Sequence, residues 1–327
     1  MIMKLMKKYI LLYLLLIFAS YAFGQTEKLL VPSDLKQQTI VTEPVTLRKG
    51  YFRAGLLLDY MVADRFFDSA GHKEYHRASL WGSKTAYGIT FQYGITDRLQ
   101  VDLVSEYLYS RQETQITEII AITNSKIVTE IKQRGLGLGD SHVSFRYQFI
   151  PEKEKKFSLT GHLKATFPTG KKNPANIISE NQYDLPVGNG TYALGFNIYA
   201  RKIVYPYSFS AFTSFTHNFK GTKIFSVLND IEEEFRMGDI IEAGLCGNLH
   251  LNEWIVFGNQ INFYSKRQGE IENTPSAILP ASWAFSYEPG LVFQVHKFRL
   301  GEAVRIPLKG KNAAADPLYV MMVQYIF

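Results

Sequence analysis

The sequence holds a single cysteine, Cys246, in 327 residues. One thiol closes no intrachain disulfide, and its distance from the N-terminus excludes lipid anchoring through an N-terminal cysteine. Beyond the first two dozen residues no apolar run approaches the roughly 18–20 residues that a membrane-crossing helix needs, so a membrane would have to be crossed by strands. Mean hydropathy is slightly negative although 46% of residues are hydrophobic, which a bundle of membrane helices would not give. The basic excess is diffuse. A formal charge of +6 could suggest nucleic acid, but the cations are gathered on no single element, and no nucleic-acid partner is expected. Pairs such as Lys171-Lys172, Lys266-Arg267 and Lys309 with Lys311 fall in polar links, where they can meet anionic lipid headgroups or lipopolysaccharide.

The N-terminus is distinctive. Lys4, Lys7 and Lys8 precede the apolar run Tyr9 to Ala19, and Ala22-Phe23-Gly24 supplies small residues before Gln25. This predicts a secretory signal peptide over 1–24. Residues 25–50 show no alternation and contain Pro32 and Pro44; they are expected to form a periplasmic lead or a small insert into the lumen. Residues 51–327 then form the folded unit.

That unit is rich in Phe (23) and Tyr (20) against three Trp, and its apolar residues fall at period two. In Ser141–Phe149, Val143, Phe145, Tyr147 and Phe149 share one face while His142, Ser144, Arg146 and Gln148 share the other. The stretches 99–110 and 157–167 repeat the pattern. Further segments are expected near 51–62, 84–95, 191–202, 207–219, 239–250, 254–266, 282–296, 298–308 and 317–327. Short links at 96–97, 151–156, 203–206, 251–253 and 296–297 alternate with long ones at 63–83, 111–138, 168–190, 220–238, 267–281 and 309–316. The fold class this predicts is all-β: a transmembrane, antiparallel, up-and-down β-barrel of about twelve strands, with long external loops and short periplasmic turns, in the outer membrane of a Gram-negative bacterium. A soluble sandwich has no reason to show this loop asymmetry. Trp81, Tyr107, Tyr109, Trp254, Tyr264 and Trp283 lie near strand ends, where aromatic girdles are expected. The alternation ending in Phe327 resembles the signal read by the barrel-assembly machinery.

Several motifs add a resemblance. Tyr93 to Val101 reads YGITDRLQV, Gly137 to Asp140 reads GLGD, Leu163 to Gly170 reads LKATFPTG, and Leu185 to Gly190 reads LPVGNG. In this order they resemble the outer-membrane family named for the meta-pathway of phenol degradation. The likeness covers about residues 50–327, with its specific motifs between 87 and 200. It implies a transporter-like barrel, and barrels of this group are supposed to admit small hydrophobic or aromatic compounds.

The polar positions of the strands give candidate lumen-lining residues: Asp102, Glu106, His142, Arg146, His162, Lys164, Arg201, Glu242, Glu288 and Arg305. Both signs are present, so they either bridge neighbouring strands or form a constriction without strong ion preference. No catalytic role is expected. His142 and Ser144 suggest a lipase, but their parity directs them into the lumen with Arg146, and no G-x-S-x-G or H-E-x-x-H motif occurs. His142, His162 and His250 sit on separate strands without metal-ligand spacing, and neither metal nor cofactor is implied. The expected function is passive passage of a small-molecule permeant; the alternative is a closed barrel with a structural or surface-binding role.

Overall fold

In the computed structural model the described residues are 45–75, 80–120, 125–152, 157–173, 175–177, 182–225, 231–252 and 254–327. The predicted signal peptide and residues 25–44 lie outside them. Twelve strands form the barrel: β1 (Phe52–Ala63), β2 (Leu80–Gly94), β3 (Leu99–Ile120), β4 (Ser141–Ile150), β5 (Phe157–Phe167), β6 (Ala193–Val204), β7 (Tyr207–Asn218), β8 (Ile240–His250), β9 (Ile255–Lys266), β10 (Ser282–Val295), β11 (Phe298–Lys311) and β12 (Leu318–Ile326). Each pairs antiparallel with its sequence neighbours, β3 reaching β4 directly through Leu99↔Tyr147 to Val104↔His142. β1 pairs with β12 through Arg53↔Ile326 to Met61↔Leu318, which closes the cylinder. Closure leaves no open sheet edge, the condition for placing strands in hydrocarbon.

The period-two pattern sorts side chains as expected. On β4, Phe145, Tyr147 and Phe149 are exposed, whereas Ser144, Arg146 and Gln148 are buried. The exposed aromatics form two levels: Phe298, Tyr325 and Phe327 pack against one another at the short-turn end, while Tyr60 and Tyr319 pair farther up. Tyr264 departs from the girdle expectation. It pairs opposite Ala284 and shares the parity of the buried Gln260 and Asn262, so it turns inward.

The long-loop end carries extra structure. β3 continues past residue 110 and pairs with Ser125–Leu138, so the expected 111–138 link is largely a hairpin above the barrel. Two small sheets, 65–67 with 73–75 and 313–314, and 220–224 with 232–236, 270–271 and 274–275, crown other parts of the rim. Three aspartates, each just before a strand that returns from this end, hold the rim. Asp140 accepts from Gly170 N at 3.2 Å and Asn189 N at 2.8 Å. Asp239 accepts from Asn218 N at 3.3 Å, and Asp316 from the backbone N of Asp64 and of Arg65 at 2.6 Å each.

Three of the four motifs that carry the family resemblance meet around Asp140. A Cβ on Gly188 would stand 2.6 Å from the carbonyl carbon of Gly170, and one on Gly170 would stand 3.0 Å from that of Gly139. Only glycine permits three backbones to approach so closely. Thr169 Oγ1 donates to Gly139 O at 2.9 Å, and Val187 N and Gly188 N both donate to Lys171 O. GLGD, FPTG and LPVGNG are thus three sides of one backbone knot at the outer rim.

Candidate functional site: the barrel lumen

The interior has two unlike sides. From β3 to β10 it is lined by polar groups that bond across strands. Arg146 Nη2 donates to Asp102 Oδ2 at 3.0 Å, and Gln100 donates to the other oxygen of the same carboxylate. His162 Nδ1 lies 2.8 Å from Asn197 Nδ2, which also reaches the Tyr199 hydroxyl at 3.3 Å. His142 Nδ1 lies 2.9 Å from Thr166 Oγ1. Lys164 lies within electrostatic reach of Glu106 and Glu242, and Ser214 Oγ donates to Glu242 at 3.3 Å. Glu288 accepts from Arg305 Nε at 2.7 Å and Asn262 Nδ2 at 3.3 Å.

The ten candidates therefore do not converge on one point. They divide into Asp102 with Arg146, Glu106 with Lys164 and Glu242, Glu288 with Arg305, and His142, His162 and Arg201 each with other partners. Arg201 shows what the sequence pattern omitted. Its guanidinium makes a two-point pair with Glu152, Nε to Oε1 at 2.6 Å plus a second bond from Nη2, and both side chains are fully buried. Glu152 belongs to the turn Pro151–Lys156, whose charge-rich sequence reads as solvated. Gln100, Gln148, Asn197 and Gln260 were also missed, because neutral amides carry no charge to attract notice. Cys246 is buried, with Sγ 3.3 Å from Asn248 Oδ1.

The opposite side, from β11 through β12 and β1 to β3, holds two apolar patches among polar groups: nearer the short-turn end Arg53 and Arg299 each donate from Nη1 to Gln324 Oε1 at 3.3 Å, and Asp59 shares the inward parity of Leu57. Ala303, Val320 and Met322 form a buried cluster with Leu57 and Leu318 against it, and Ala86, Leu108 and Val187 form a second. Leu57 lies over Gly88 on the next strand, where an added Cβ would stand 3.1 Å from its own Cβ.

The short-turn end is narrowed by the chain entering the barrel. Val45, Thr46 and Leu47 are buried. Leu47 N donates to Gln100 Oε1 at 2.6 Å, Thr46 Oγ1 lies 3.2 Å from Gln148 Oε1, and Lys49 N donates to Asp97 Oδ1 at 3.1 Å. A Cβ on Gly94 would fall 2.0 Å from Arg48 O. Gly94, Asp97 and Gln100 all belong to YGITDRLQV, so that motif receives the N-terminal segment besides making a turn.

Among the described residues, no three His, Cys, Asp or Glu side chains are arranged to hold a metal ion. Ser144 lies beside Asp102, at 3.5 Å, while His142 bonds to Thr166.

These features define the class of protein: a closed twelve-stranded antiparallel barrel of the outer-membrane type. Its fold is similar to that in the crystal structure of an outer membrane channel from Pseudomonas putida F1, with a TM-score of 0.66 at 12% identity, covering 87% of this chain and 98% of that one. Looser similarities include the Ralstonia pickettii toluene transporter TbuX, with a TM-score of 0.41 at 10% identity over 86% of this chain and 90% of that one. The NanC porin scores 0.44 at 10% identity, over 82% and 98%. No family model and no curated protein matches the sequence.

Proposed function

We propose that this protein is a passive outer-membrane channel for small hydrophobic or aromatic solutes. The observation that carries the reading is the pair of apolar patches on one side of the lumen, where Leu57, Ala86, Leu108, Ala303, Leu318, Val320 and Met322 interrupt the polar lining. A channel for ions or sugars gains nothing from such patches. A solute with one apolar face can slide along them and keep the amides and carboxylates opposite hydrated. The fold shared with an outer membrane channel adds analogy at the level of architecture. The mixed charges of the polar side form internal pairs and impose no single sign, and His142 and Ser144 serve strand-to-strand bonding in this reading.

The test is solute uptake into liposomes carrying the mature protein. Small aromatic solutes are expected to enter faster than polar solutes of equal size. Gly94→Ala, which forces Arg48 away from the inner mouth, and deletion of residues 25–50 are expected to increase the flux. A folded barrel impermeable in all three forms overturns the proposal and favours a scaffold role.

A further inference from the structure

The outward face of the barrel is almost free of ionisable groups, as hydrocarbon contact requires. Along the twelve strands the outward positions carry Lys202 beside an inner turn, and toward or above the outer rim Arg111, His217 and, opposite Phe285 and Trp283, Lys309 and Lys311. Glu302 is different. It lies mid-strand in β11, between Leu300 and Val304, and its cross-strand partners are Met321 on β12 and Leu291 on β10. Met321 is 38% exposed, and Glu302 shares its outward parity. Counted along β12, this position falls between the aromatic level of Tyr325 and Phe327 and that of Tyr319. No described side chain forms a hydrogen bond or ion pair with its carboxylate.

An acid in this setting is costly to retain and marks a functional group. Here it stands in a groove of about 370 Å³ on the outer wall, walled by Leu58, Tyr60, Phe257, Leu291, Tyr319 and Met321. The groove follows from a local defect. Pro289 has no N–H to donate, and the β10–β11 ladder is interrupted between Tyr287↔Ile306 and Gly290↔Ala303. On the neighbouring strands Tyr287 donates from its hydroxyl to Asn259.

We propose that Glu302 and this groove bind a membrane-dissolved amphiphile with a cationic, ammonium-type head, its apolar tail lying along Leu58, Phe257 and Leu291. Charge complementarity selects the occupant: an apolar cleft suits any acyl chain, but a lone carboxylate within it favours a head that brings positive charge and N–H donors. The site is on the outer wall and does not depend on an open lumen.

The probe is spin-labelled stearylamine in nanodiscs holding the full mature protein, with spin-labelled stearyl alcohol and phosphatidylcholine as references. The expected result is a motionally restricted amine population that unlabelled alkylamine displaces, with apparent affinity on the order of tenfold above that of the alcohol. Glu302→Gln is expected to bring the amine down to the alcohol, leaving the alcohol unchanged. Leu291→Trp, which fills the groove and keeps the carboxylate, is expected to exclude both. Equal restriction of amine and alcohol in the wild type, or an amine signal unaltered by Glu302→Gln in a folded barrel, overturns the proposal.

Discussion

The knot at the outer rim offers the sharpest test of how the barrel holds its loops. Asp140 is buried, and its two oxygens accept from Gly170 N and Asn189 N. Asp140→Ala removes both acceptors and leaves two amides facing a small cavity. A hydrogen bond to a charged group contributes about 1.5–3 kcal/mol. At about 1.4 kcal/mol per tenfold, each amide should then exchange at least about tenfold faster. The two effects should be coupled, since both amides lie in one unit. Asp140→Asn keeps one acceptor and should fall between. Gly188→Ala attacks the same knot without touching the carboxylate, since its Cβ would meet Gly170 backbone at 2.6 Å. Hydrogen exchange at Gly170, Val187, Gly188 and Asn189, with the amides of β7 and β8 as internal references, reads the effect. Unchanged exchange at Gly170 and Asn189 in Asp140→Ala would refute the reasoning, as would a uniform rise across the barrel.

Two further outcomes are expected. Glu152→Ala leaves the fully buried Arg201 guanidinium without its pair and should lower barrel stability by about 3–5 kcal/mol, whereas Glu152→Leu with Arg201→Met should recover much of the loss; urea unfolding followed by electrophoretic mobility reads both. At Asp316, burial raises the carboxyl pKa, but the bonds from Asp64 N, the Arg65 side chain and Arg65 N outweigh it and the net shift is downward. A depressed folded-state pKa stabilises above the unfolded value and is lost as pH falls through the folded one. The small sheet of 65–67 and 73–75 should therefore stay docked until pH drops below about 4 and then become protease-sensitive, while Asp316→Asn should show no such acid transition.

Much of the architecture was legible because hydrocarbon imposes period two on every strand that meets it. Ser141–Ile150 and Phe157–Phe167 sort their residues without ambiguity, and the twelve segments match the twelve barrel strands. Where that constraint ends, so did legibility. β3 runs to Ile120, but above the membrane neither face needs to be apolar, and the alternation that marks 99–110 fades. Tyr264 was misplaced because its position near a strand end was weighed above its parity with Asn262. The pairing of Glu152 with Arg201 joins residues 49 apart, and no local pattern signals it. The glycine motifs were visible as motifs, yet their meeting at one point is a fact of closure. Glu302 is readable from parity alone, between Leu300 and Val304, as a charge on the face that should be apolar.

The hairpin that β3 forms with Ser125–Leu138 gives the molecule an uneven skyline. From Val104, its last residue paired to β4, to Ile120, paired with Ser125, the strand climbs on the order of 50 Å along its own path at about 3.3 Å per residue. β2 accompanies it as far as Leu80↔Thr114, and beyond that point it is paired with Ser125–Ile131. One flank of the barrel thus rises as a two-stranded ridge beyond the rim at which β4 begins.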